Sequence, residues 1–396
     1  MCSKLKEFGF VYLCCSKSYL MRIAVNTRFL LKNKLEGIGW FTYETVKRLV
    51  ENHPEHEFYF FFDRPFEEEF IFGKNVHPIV LFPPARHPVL YFIWFEYSVA
   101  NALKVYKIDV FLSPDNFLTL RTKVPTVLVT HDIAHLHFPE QVNFFDRKYY
   151  QFFIPKFHKK ATRIVTVSNY TKQDIVKNYG IEPKRIDVAC NGCRDIFKPL
   201  NESERIEIRN KYSENQEYFF YVGAIQPRKN VHRLIEAFDL FKSQTNAPQK
   251  LLLGGRFAWK TGEVKTAFDN SSHQEDIVFL GYLSEDELWR IMASAFAFVY
   301  VSLFEGFGIP LLEAMNCDIP LITSDKSSLP EVAGNAGILV NPYDLNSIAM
   351  AMRQLLEDSH LYNQMIENGK QQRDQFSWDF AAEILYKNIE MAASTL

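Results

Sequence analysis

The stretch FEGFGIPLLEAM, residues 304–315, decides our interpretation of the fold. Pro310 favours the first turn of a helix, because its missing N–H costs nothing there and its φ is already helical. The preceding loop, Gly306–Gly308, therefore meets the positive end of a helix, and its glycines let a ligand approach the backbone. Glu305 stands at the mouth of the loop, and Glu313 lies about one turn inside the helix. This pattern suits a ligand with both a phosphate and hydroxyl groups, such as a nucleotide sugar.

The spacing of the two glutamates does not decide the function by itself. Glu305 and Glu313 also fit an ordinary helix with an acidic first turn, and that interpretation stays open on the spacing alone. The glycines and the proline between them favour the anion site. The rest of the chain has to agree with a nucleotide-binding protein.

Length and composition indicate a globular protein with two domains. A chain of 396 residues exceeds what one hydrophobic core usually supports. Hydrophobic residues make up 47% and charged residues 23%, which is typical of soluble globular domains. The net charge of −2 gives no reason to expect a nucleic-acid partner.

No segment of the sequence predicts a membrane span. The longest charge-free apolar run, Met292 to Phe304, is shorter than the roughly 20 residues that a span requires, and we interpret it as a buried passage from helix to strand. The run Phe8 to Cys15 is near the lower limit for a signal peptide and no small-residue cleavage site follows it. We therefore expect residues 1–20 to be an extension outside the fold, which begins with a strand at Met21.

The cysteines favour a reducing compartment. The single C-x-x-C, Cys190 to Cys193, encloses Asn-Gly, which is a turn signal, and no two further zinc ligands are suitably spaced nearby. A loop is thus favoured over a zinc site, and a cytoplasmic location fits.

From Met21 onward, short apolar strands alternate with amphipathic helices, which predicts an α/β protein with parallel strands. The first strand, Met21 to Asn26, is followed by a loop with Gly37-Ile38-Gly39 and by a helix from about Phe41. No complete G-x-G-x-x-G occurs there, so a dinucleotide-dependent dehydrogenase is disfavoured. A later strand, Val127 to Thr130, ends in His131-Asp132, at the strand terminus where α/β sheets place their ligands.

A second α/β series follows a polar, strand-poor segment near residues 191–211. We predict a first domain over residues 21–195 and a second over residues 196–377. The second series opens with the strand Tyr218 to Val222 and continues through Gly223 to Arg228 and Lys229. Two adjacent cations at a strand-to-helix turn stand where a diphosphate would bind.

Several motifs, in the right order, resemble those of the family 4 retaining glycosyltransferases, also called glycosyl transferases group 1. The stretch Glu305 to Glu313 resembles the E-x7-E signature, and VTHDIAHLHFPE at 129–140 resembles the segment whose histidine faces the donor sugar. YVGAIQPRKN at 221–230 resembles the phosphate-binding loop, and Gly37 to Gly39 resembles the glycine loop of the first domain. Two departures are Trp40 and Ala224, which stand where the family often has arginine.

The resemblance runs from about Met21 to Trp378 and implies the GT-B fold, two facing Rossmann-like domains with a cleft between them. In that fold the final helix, within residues 378–396 and expected from about Trp378 to Ala393, crosses back onto the first domain.

The resemblance also implies a reaction: a sugar passes from a nucleoside diphosphate sugar to an acceptor hydroxyl with retention at the anomeric carbon. Lys229 and Arg228 would stabilise charge on the β-phosphate, Glu305 would contact the donor sugar, and His131 would border it from the other domain. Asp132 would lie in the acceptor or sugar vicinity. The expected donor-binding residues are Gly37, Gly39, Gly223, Gly306, Phe307, Gly308, Ile309 and Glu313, the last of these on the ribose hydroxyls.

The chain contains no D-x-D sequence, so neither a metal-bridged diphosphate nor any cofactor beyond the nucleotide-sugar co-substrate is expected. A glycan or a lipid-linked acceptor would place the reaction in cell-surface polysaccharide or glycolipid synthesis. The segment Arg147 to Arg163 carries four lysines and five aromatic residues on a predicted helix. It is either a solvated basic face or a surface that rests, together with the aromatic segment Arg86 to Tyr106, on the anionic inner face of a membrane.

Two other classes stay open. A glycosidase would use Glu305 and Glu313 as its carboxylate pair, although a phosphate site beside that pair would then have no purpose. A binding protein for nucleotide sugars or glycans would keep the fold without turnover.

Overall fold

The computed structural model describes residues 20–32, 35–257 and 262–395, and the predicted extension lies outside them except for Leu20. The described residues form two parallel sheets, each with helices on both faces. The seven-stranded sheet has the order β3-β2-β1-β4-β5-β6-β7, and the six-stranded sheet has the order β10-β9-β8-β11-β12-β13. Both sheets are doubly wound from a central first strand, which is the Rossmann-like arrangement. The α/β prediction is confirmed.

The first sheet and its helices occupy the chain up to residue 188. Its strands are β1 Arg22–Asn26, β2 Glu57–Phe62, β3 Val76–Val80, β4 Val110–Ser113, β5 Thr126–Thr130, β6 Arg163–Thr166 and β7 Ile186–Val188. Its helices are α1 Gly37–Asn52, α2 Pro88–Ile93, α3 Ala100–Val105, α4 Ala134–His137, α5 Phe144–Lys160 and α6 Asn169–Tyr179, with a π-helical turn, Trp94–Val99, between α2 and α3.

The second sheet and its helices follow. Its strands are β8 Tyr218–Val222, β9 Lys250–Gly254, β10 Ile277–Gly281, β11 Ala297–Tyr300, β12 Leu321–Ser324 and β13 Gly337–Val340. The helices are α7 Glu202–Ser213, α8 Val231–Thr245, α9 Gly262–Asn270, α10 Glu285–Ala293, α11 Ile309–Asn316, α12 Leu329–Ala333, α13 Leu345–Glu357, α14 Ser359–Arg373 and α15 Trp378–Ala393. The exact boundary predicted near residue 195 stays a prediction, because it falls in the loop between β7 and α7.

Phenylalanines in strand β2 show how the core uses the excess of this residue. Side chains alternate between the two faces of a strand. Phe60 and Phe62 accordingly join the core that continues into the second sheet, whereas Phe61 joins a separate core with Trp94 and Phe95. All five side chains are buried, and they hold the first sheet between its two helical layers.

The prediction for the start of α1 is wrong. Gly37 and Gly39 lie in the first turn of this helix and not in a loop before it, because the amide of Trp40 already donates to the carbonyl of Glu36 at 2.9 Å. A glycine is favoured at position 39, where a Cβ would lie 3.0 Å from the carbonyl oxygen of Phe29. Nothing lies within 4 Å of a Cβ built at position 37, so packing there does not require glycine.

Helix α15 links the end of the chain to the first sheet. Its Asn388 accepts a hydrogen bond from Arg163 of β6 at 2.9 Å, and its Tyr386 hydroxyl lies 2.8 Å from Nε2 of His56. The ring of Trp378 meets that of Phe41 in α1 edge-on, with 6.2 Å between centroids. The helix therefore packs on the first half of the molecule, although it follows the second sheet in the chain.

The predicted basic helix is displaced. It runs from Phe144 to Lys160, and Arg163 begins strand β6 instead of ending the helix. Of its five predicted aromatic residues only Phe152 is exposed, because Tyr149 and Phe157 belong to the core and Tyr150 and Phe153 pack against it. Among the described residues, no helix is long and apolar enough to cross a membrane.

Candidate active site between the two sheets

Two turns at the carboxyl end of the second sheet meet because their strands are neighbours. Strands β8 and β11 pair in parallel, so the turns that follow them leave the sheet side by side. The amide of Leu303 donates to the carbonyl of Arg228 at 2.9 Å, and Nη1 of Arg228 donates to the carbonyl of Phe304 at 2.5 Å. The topology thus unites the two motifs that the sequence analysis selected separately.

Glu305 is the centre of this junction. Nζ of Lys229 donates to its Oε1 at 2.6 Å, and Nη1 of Arg228 lies 3.3 Å from its Oε2. The hydroxyl of Tyr300 lies 3.1 Å from Oε1 of Glu305 and 2.5 Å from Nζ of Lys229. Glu305 is 7% exposed, so the four side chains form a buried charged cluster that we call the Glu305 cluster.

The charges of the Glu305 cluster hold its carboxylate ionised. Burial alone would raise the pKa of Glu305, but the neighbouring charges of Lys229 and Arg228 outweigh it and hold that pKa at about 2. Burial lowers the pKa of Lys229, and the carboxylate of Glu305 opposes this. One carboxylate faces two basic groups, so the cluster keeps an excess of positive charge suited to an anion.

The glycines of the Glu305–Ile309 loop permit a left-handed backbone at one position and a close approach at another. Gly308 has φ of 100° and is the N-cap of α11, so Pro310 falls in the first turn as predicted. A Cβ at Gly306 would lie 2.0 Å from the carbonyl oxygen of His131, which belongs to the first sheet. The ring of Phe307 is buried and meets that of Phe376 edge-on, so this predicted donor-binding side chain is part of the core.

Gly223, the glycine of the predicted phosphate loop, has φ of 153°, and a Cβ there would lie 2.9 Å from the hydroxyl oxygen of Tyr221. The adjacent strand approaches as closely, since a Cβ at Gly255 would lie 1.9 Å from the carbonyl oxygen of Gly223. The backbone between β8 and α8 can take this path only with glycine at both positions.

His131 reaches the junction from the first sheet. Its Nε2 lies 2.9 Å from the carbonyl oxygen of Pro114, and because a carbonyl only accepts, Nε2 carries a proton. Burial lowers the pKa of His131, so the ring is neutral at pH 7 and Nδ1 is an acceptor. The adjacent Asp132 accepts from the amide of Ala134 at 3.0 Å, which places it at the start of α4.

Hydrogen bonds join the two halves around this junction. The hydroxyl of Ser168, the N-cap of α6, donates to the carbonyl of Gly306 at 2.7 Å. The carboxylate of Glu331 in α12 accepts from the amides of Asn169 and Tyr170 at 2.9 and 3.1 Å, at the positive end of α6. The structure is therefore a closed arrangement in which the Glu305–Ile309 loop contacts the first sheet.

Glu313 is held by a residue that the sequence analysis missed. Nη2 of Arg194 donates to its Oε1 at 2.7 Å, and Nη1 of Arg194 donates to Glu285 at 2.5 Å. The guanidinium also lies 4.5 Å from the ring centroid of Trp40 in α1. Arg194 comes from the polar segment predicted to be a domain boundary, and no local pattern singles it out.

One group of described residues has the spacing of a metal site, but it lies away from the Glu305 cluster. The nitrogen and oxygen atoms of His53, Glu55 and His56 lie within 4.8 Å of one another, at the end of α1. The rings of His53 and Tyr386 stack at 3.4 Å, and the Tyr386 hydroxyl bonds the ring of His56. Both ring nitrogens of His56 are already engaged, Nε2 with the Tyr386 hydroxyl and Nδ1 with the amide of Met21 at 3.5 Å, so an ion would have to displace one of these partners.

A cavity of about 550 Å³ lies beside that group, between α1 and α15. Its lining includes Arg48, His53, Asp379 and Tyr386. It is separate from the Glu305 cluster, whose residues are covered by the contacts between the two halves.

Comparison with known families supports the two-part organisation. Residues 35–195 match the model described as Glycosyltransferase Family 4, and residues 203–372 match the model described as Glycosyl transferases group 1.

Curated relatives match from two thirds to most of the chain. The O-antigen chain mannosyltransferase B of Escherichia coli is 30% identical over 360 residues, which cover 88% of this chain and 94% of that protein. The O-antigen chain mannosyltransferase RfbU of Salmonella typhimurium is 30% identical over 267 residues, 66% of this chain and 70% of that protein.

Solved structures share the fold at low identity. Anabaena Alr3699/HepE in complex with UDP and glucose superposes with a TM-score of 0.72 at 16% identity, covering 93% of this chain and 99% of that one. WaaG, a glycosyltransferase involved in lipopolysaccharide biosynthesis, has a TM-score of 0.70 at 18% identity, with the same coverage. These neighbours bear out the GT-B fold.

Proposed function

The chain belongs to the glycosyltransferases of group 1 and family 4, and from that premise we propose that it transfers a sugar from a nucleoside diphosphate sugar to an acceptor hydroxyl with retention at the anomeric carbon. The names of the relatives support mannose as the sugar and a growing polysaccharide of the O-antigen type as the acceptor. The acceptor would then be a glycan or a lipid-linked glycan in the synthesis of a cell-surface polymer.

The observation that carries this proposal is the Glu305 cluster. When the bond between the sugar and the diphosphate breaks, negative charge grows on the β-phosphate oxygen. Lys229 and Arg228 are already ordered by Glu305, with Nζ of Lys229 at 2.6 Å from the carboxylate. They can therefore stabilise that charge without reorganising, which is the largest contribution that such sites make to catalysis.

The remaining residues bind and orient the donor. The start of α11 after Gly308 offers backbone N–H groups to a phosphate, and Gly223 lets the diphosphate approach the turn after β8. Glu313 accepts hydrogen bonds from the ribose hydroxyls. Because Nε2 of His131 is bonded to a carbonyl, only Nδ1 can meet the sugar, and it can accept but not donate.

The electrostatics of the cluster argue against the glycosidase alternative. A glycosidase needs one carboxyl group with a raised pKa as its acid. The pKa of Glu305 is held at about 2, so this carboxylate is not the acid. Burial raises the pKa of Glu313, but its Oε1 already accepts from Nη2 of Arg194 at 2.7 Å, which favours the ionised form and opposes a role as proton donor.

A donor panel tests the function directly. The full chain is incubated with GDP-mannose, UDP-mannose, UDP-glucose and GDP-glucose and a lipid-linked oligosaccharide acceptor, and the products are identified by mass spectrometry and by anomeric NMR. We expect transfer of mannose with retained configuration. Binding of the nucleotide without any transfer would instead assign a non-catalytic binding protein, and an inverted product would contradict the retaining mechanism.

Metal independence is a separate part of the proposal. Two basic side chains stand at the predicted diphosphate site, so the rate in EDTA is expected to stay within a factor of about two of the rate in Mg²⁺. An absolute requirement for Mn²⁺ or Mg²⁺ would mean that other side chains hold the diphosphate through an ion.

The surface of α5 is the proposed point of contact with an anionic membrane. Phe144, Phe145 and Phe152 are 58%, 67% and 56% exposed, and Lys148 and Lys156 are exposed beside them. In the aromatic segment 86–106, Trp94 and Phe95 are buried and Tyr97 is 50% exposed, so of these three rings only Tyr97 can contribute to such a contact. Exposed rings beside lysines suit an interface with anionic headgroups, where a lipid-linked acceptor would be found.

A further inference from the structure

Arg194 occupies a point where four parts of the chain meet. It lies between the two sheets, and its guanidinium bonds Glu313 of α11 at 2.7 Å and Glu285 of α10 at 2.5 Å. The same group lies 4.5 Å from the ring of Trp40 in α1 and 4.8 Å from the ring of Phe197. Its side chain is 13% exposed, so its position is set from several directions.

The two carboxylates that it bonds differ in environment. The Glu285 side chain is 47% exposed, and water can solvate its charge without Arg194. The Glu313 side chain is 5% exposed, and Arg194 is its one charged partner among the described residues. A buried carboxylate without a partner takes up a proton, so Glu313 depends on Arg194 to stay ionised whereas Glu285 does not.

We infer that Arg194 is the positioning residue for Glu313: it keeps that carboxylate ionised and fixed for hydrogen bonds from the donor's ribose, while Trp40 holds Arg194 from the first half of the molecule. The inference rests on the proposed function for the role of the ribose. The pairing of Arg194 with Glu313 can be tested without it.

Removal of Arg194 has a defined consequence for pH dependence. Burial raises the pKa of Glu313 and Arg194 lowers it, so Arg194→Gln raises that pKa further. The unfolded state then ionises Glu313 at a lower pH than the folded state does, so stability is lost as the pH rises from the unfolded pKa to the folded pKa. Below the unfolded pKa the carboxyl group is neutral in both states and the cost is absent.

The first arm of the test uses the protein without ligand. The melting temperatures of Arg194→Gln and of Arg194→Gln/Glu313→Gln are compared from pH 5.5 to pH 8.5. We expect the single variant to fall below the double variant as the pH rises, by at least about 2 °C at the upper end. A difference that does not change with pH would overturn the inference, because it would mean that Glu313 keeps its charge without Arg194.

The second arm measures the dissociation constants of GDP and UDP by calorimetry over the same pH range. The dissociation constant of each variant is divided by that of the wild type at the same pH. This ratio cancels the pH dependence that comes from the phosphates of the nucleotide. For Arg194→Gln we expect the better-bound nucleotide to weaken about tenfold at low pH and to recover as the pH rises. For the double variant the ratio is expected to be flat. A flat ratio for Arg194→Gln as well would leave Arg194 a merely structural residue.

Two further variants separate position from charge and from fold. Arg194→Lys keeps one positive charge but cannot bridge two carboxylates, so nucleotide binding is expected to weaken without any new pH dependence. A new pH dependence in Arg194→Lys would contradict the inference. If Arg194→Gln does not fold, Arg194→Met, which also removes the charge, replaces it in both arms. Arg373→Gln is the matched control, because Arg373 bonds Asp318 and the carbonyl of Met315 at the other end of α11. It is expected to lower the melting temperature at every pH alike.

The two arms distinguish the inference from the proposed function. If the ligand-free arm shows the expected pH dependence and the wild type binds neither GDP nor UDP, the pairing stands and the nucleotide function fails. If the wild type binds nucleotide and the ligand-free arm is flat, the function stands and the role of Arg194 fails.

Discussion

Two groups of basic side chains face opposite environments in this molecule. Lys229 and Arg228 stand at the turn after β8, buried against Glu305 and between the two halves. Along α5, lysines such as Lys156 lie at the surface, and its Nζ lies 3.2 Å from the ring centroid of the exposed Phe152. The same residue type meets a carboxylate in a low-dielectric interior in one place, and water and an aromatic ring in the other.

The difference teaches which cation can act on chemistry. A charge interaction is weakened by water and salt at the surface, and it keeps most of its strength in the interior. The buried pair can therefore stabilise a charge that develops on a single atom. The surface lysines of α5 can attract only an extended negative surface, and each lysine contributes a small, salt-sensitive part of the binding energy. Changes in the buried group should accordingly affect turnover, and changes in the surface group should affect location.

The largest effect is expected from Lys229→Ala. Lys229 acts on charge that grows as the glycosidic bond breaks, so kcat should fall about 10²–10³-fold, or ~3–4 kcal/mol, and donor binding should weaken much less. Steady-state kinetics with the donor identified by the panel would separate the two parameters.

Lys242→Ala is the matched control for that change. Lys242 is also buried in the second half, where it bonds Asp276 at 2.7 Å, but it lies on α8 away from the Glu305 cluster. It should lower stability and leave kcat near that of the wild type. A Lys229→Ala variant that changed only KM would show that this cation binds the ground state and does not act on the reaction.

Glu305→Gln tests the counter-charge of the buried group. The substitution keeps the shape and leaves Lys229 and Arg228 without their carboxylate, so their alignment is lost. We expect kcat to fall by about 10–100-fold with KM little changed, because the interaction matters most in the transition state. Full kcat in Glu305→Gln would mean that the cations are ordered by the donor alone.

The pKa of Glu305 gives this variant a second readout. Because its folded pKa, about 2, lies below the ordinary value, Glu305 contributes stability at neutral pH that is lost only as the pH falls through that range. The wild type should therefore lose its stability advantage over Glu305→Gln on acidification below about pH 4, while the pH–rate profile near neutrality shows no titration of Glu305.

Glu313→Ala should have a smaller effect of another kind. The ribose hydroxyls do not change during the reaction, so their contact with Glu313 is uniform binding. Donor affinity should fall about tenfold while kcat at saturation stays near that of the wild type. A fall in kcat equal to that in kcat/KM would instead place Glu313 among the groups that act in the transition state.

Local sequence signals predicted the elements that carry these residues. The strand Tyr218 to Val222 has the predicted bounds, because an apolar run is a property of adjacent residues. The helix Trp378 to Ala393 has the bounds that the family resemblance implied. Pro310 and Gly308 likewise start α11 as predicted. The start of α1 was missed because Gly37 and Gly39 argue for a loop locally, whereas the helical hydrogen bond from Trp40 to Glu36 already forms across them.

The pairings inside the site were not predictable from such signals. Arg194 meets Glu313 over a separation of 119 positions, and no periodicity connects a polar loop to a buried helix. The contact of Glu331 with the amide of Tyr170 likewise depends on how the two halves close. Long-range partners follow from topology and packing, and the sequence motifs specify only the residues that the topology then brings together.

The smallest effect on turnover is expected at the surface group. Replacing Lys156, Lys159 and Lys160 by Gln removes three exposed charges from α5, so binding to vesicles containing anionic lipid should weaken by up to about 1 kcal/mol per lysine at low salt. The loss should shrink as ionic strength rises, and kcat with a water-soluble acceptor should stay unchanged, because none of these lysines touches the Glu305 cluster.

A control variant replaces three exposed lysines elsewhere, Lys211, Lys265 and Lys387, by Gln. It carries the same charge change and should bind the vesicles as the wild type does. Phe144→Ser and Phe152→Ser should weaken the binding that remains at high salt, since the rings contribute by burial and not by charge. If neutral vesicles bind the protein equally well, or if both lysine variants lose vesicle binding alike, α5 is a solvated basic face. The buried cations would then serve catalysis, and the surface cations would serve solubility and not membrane location.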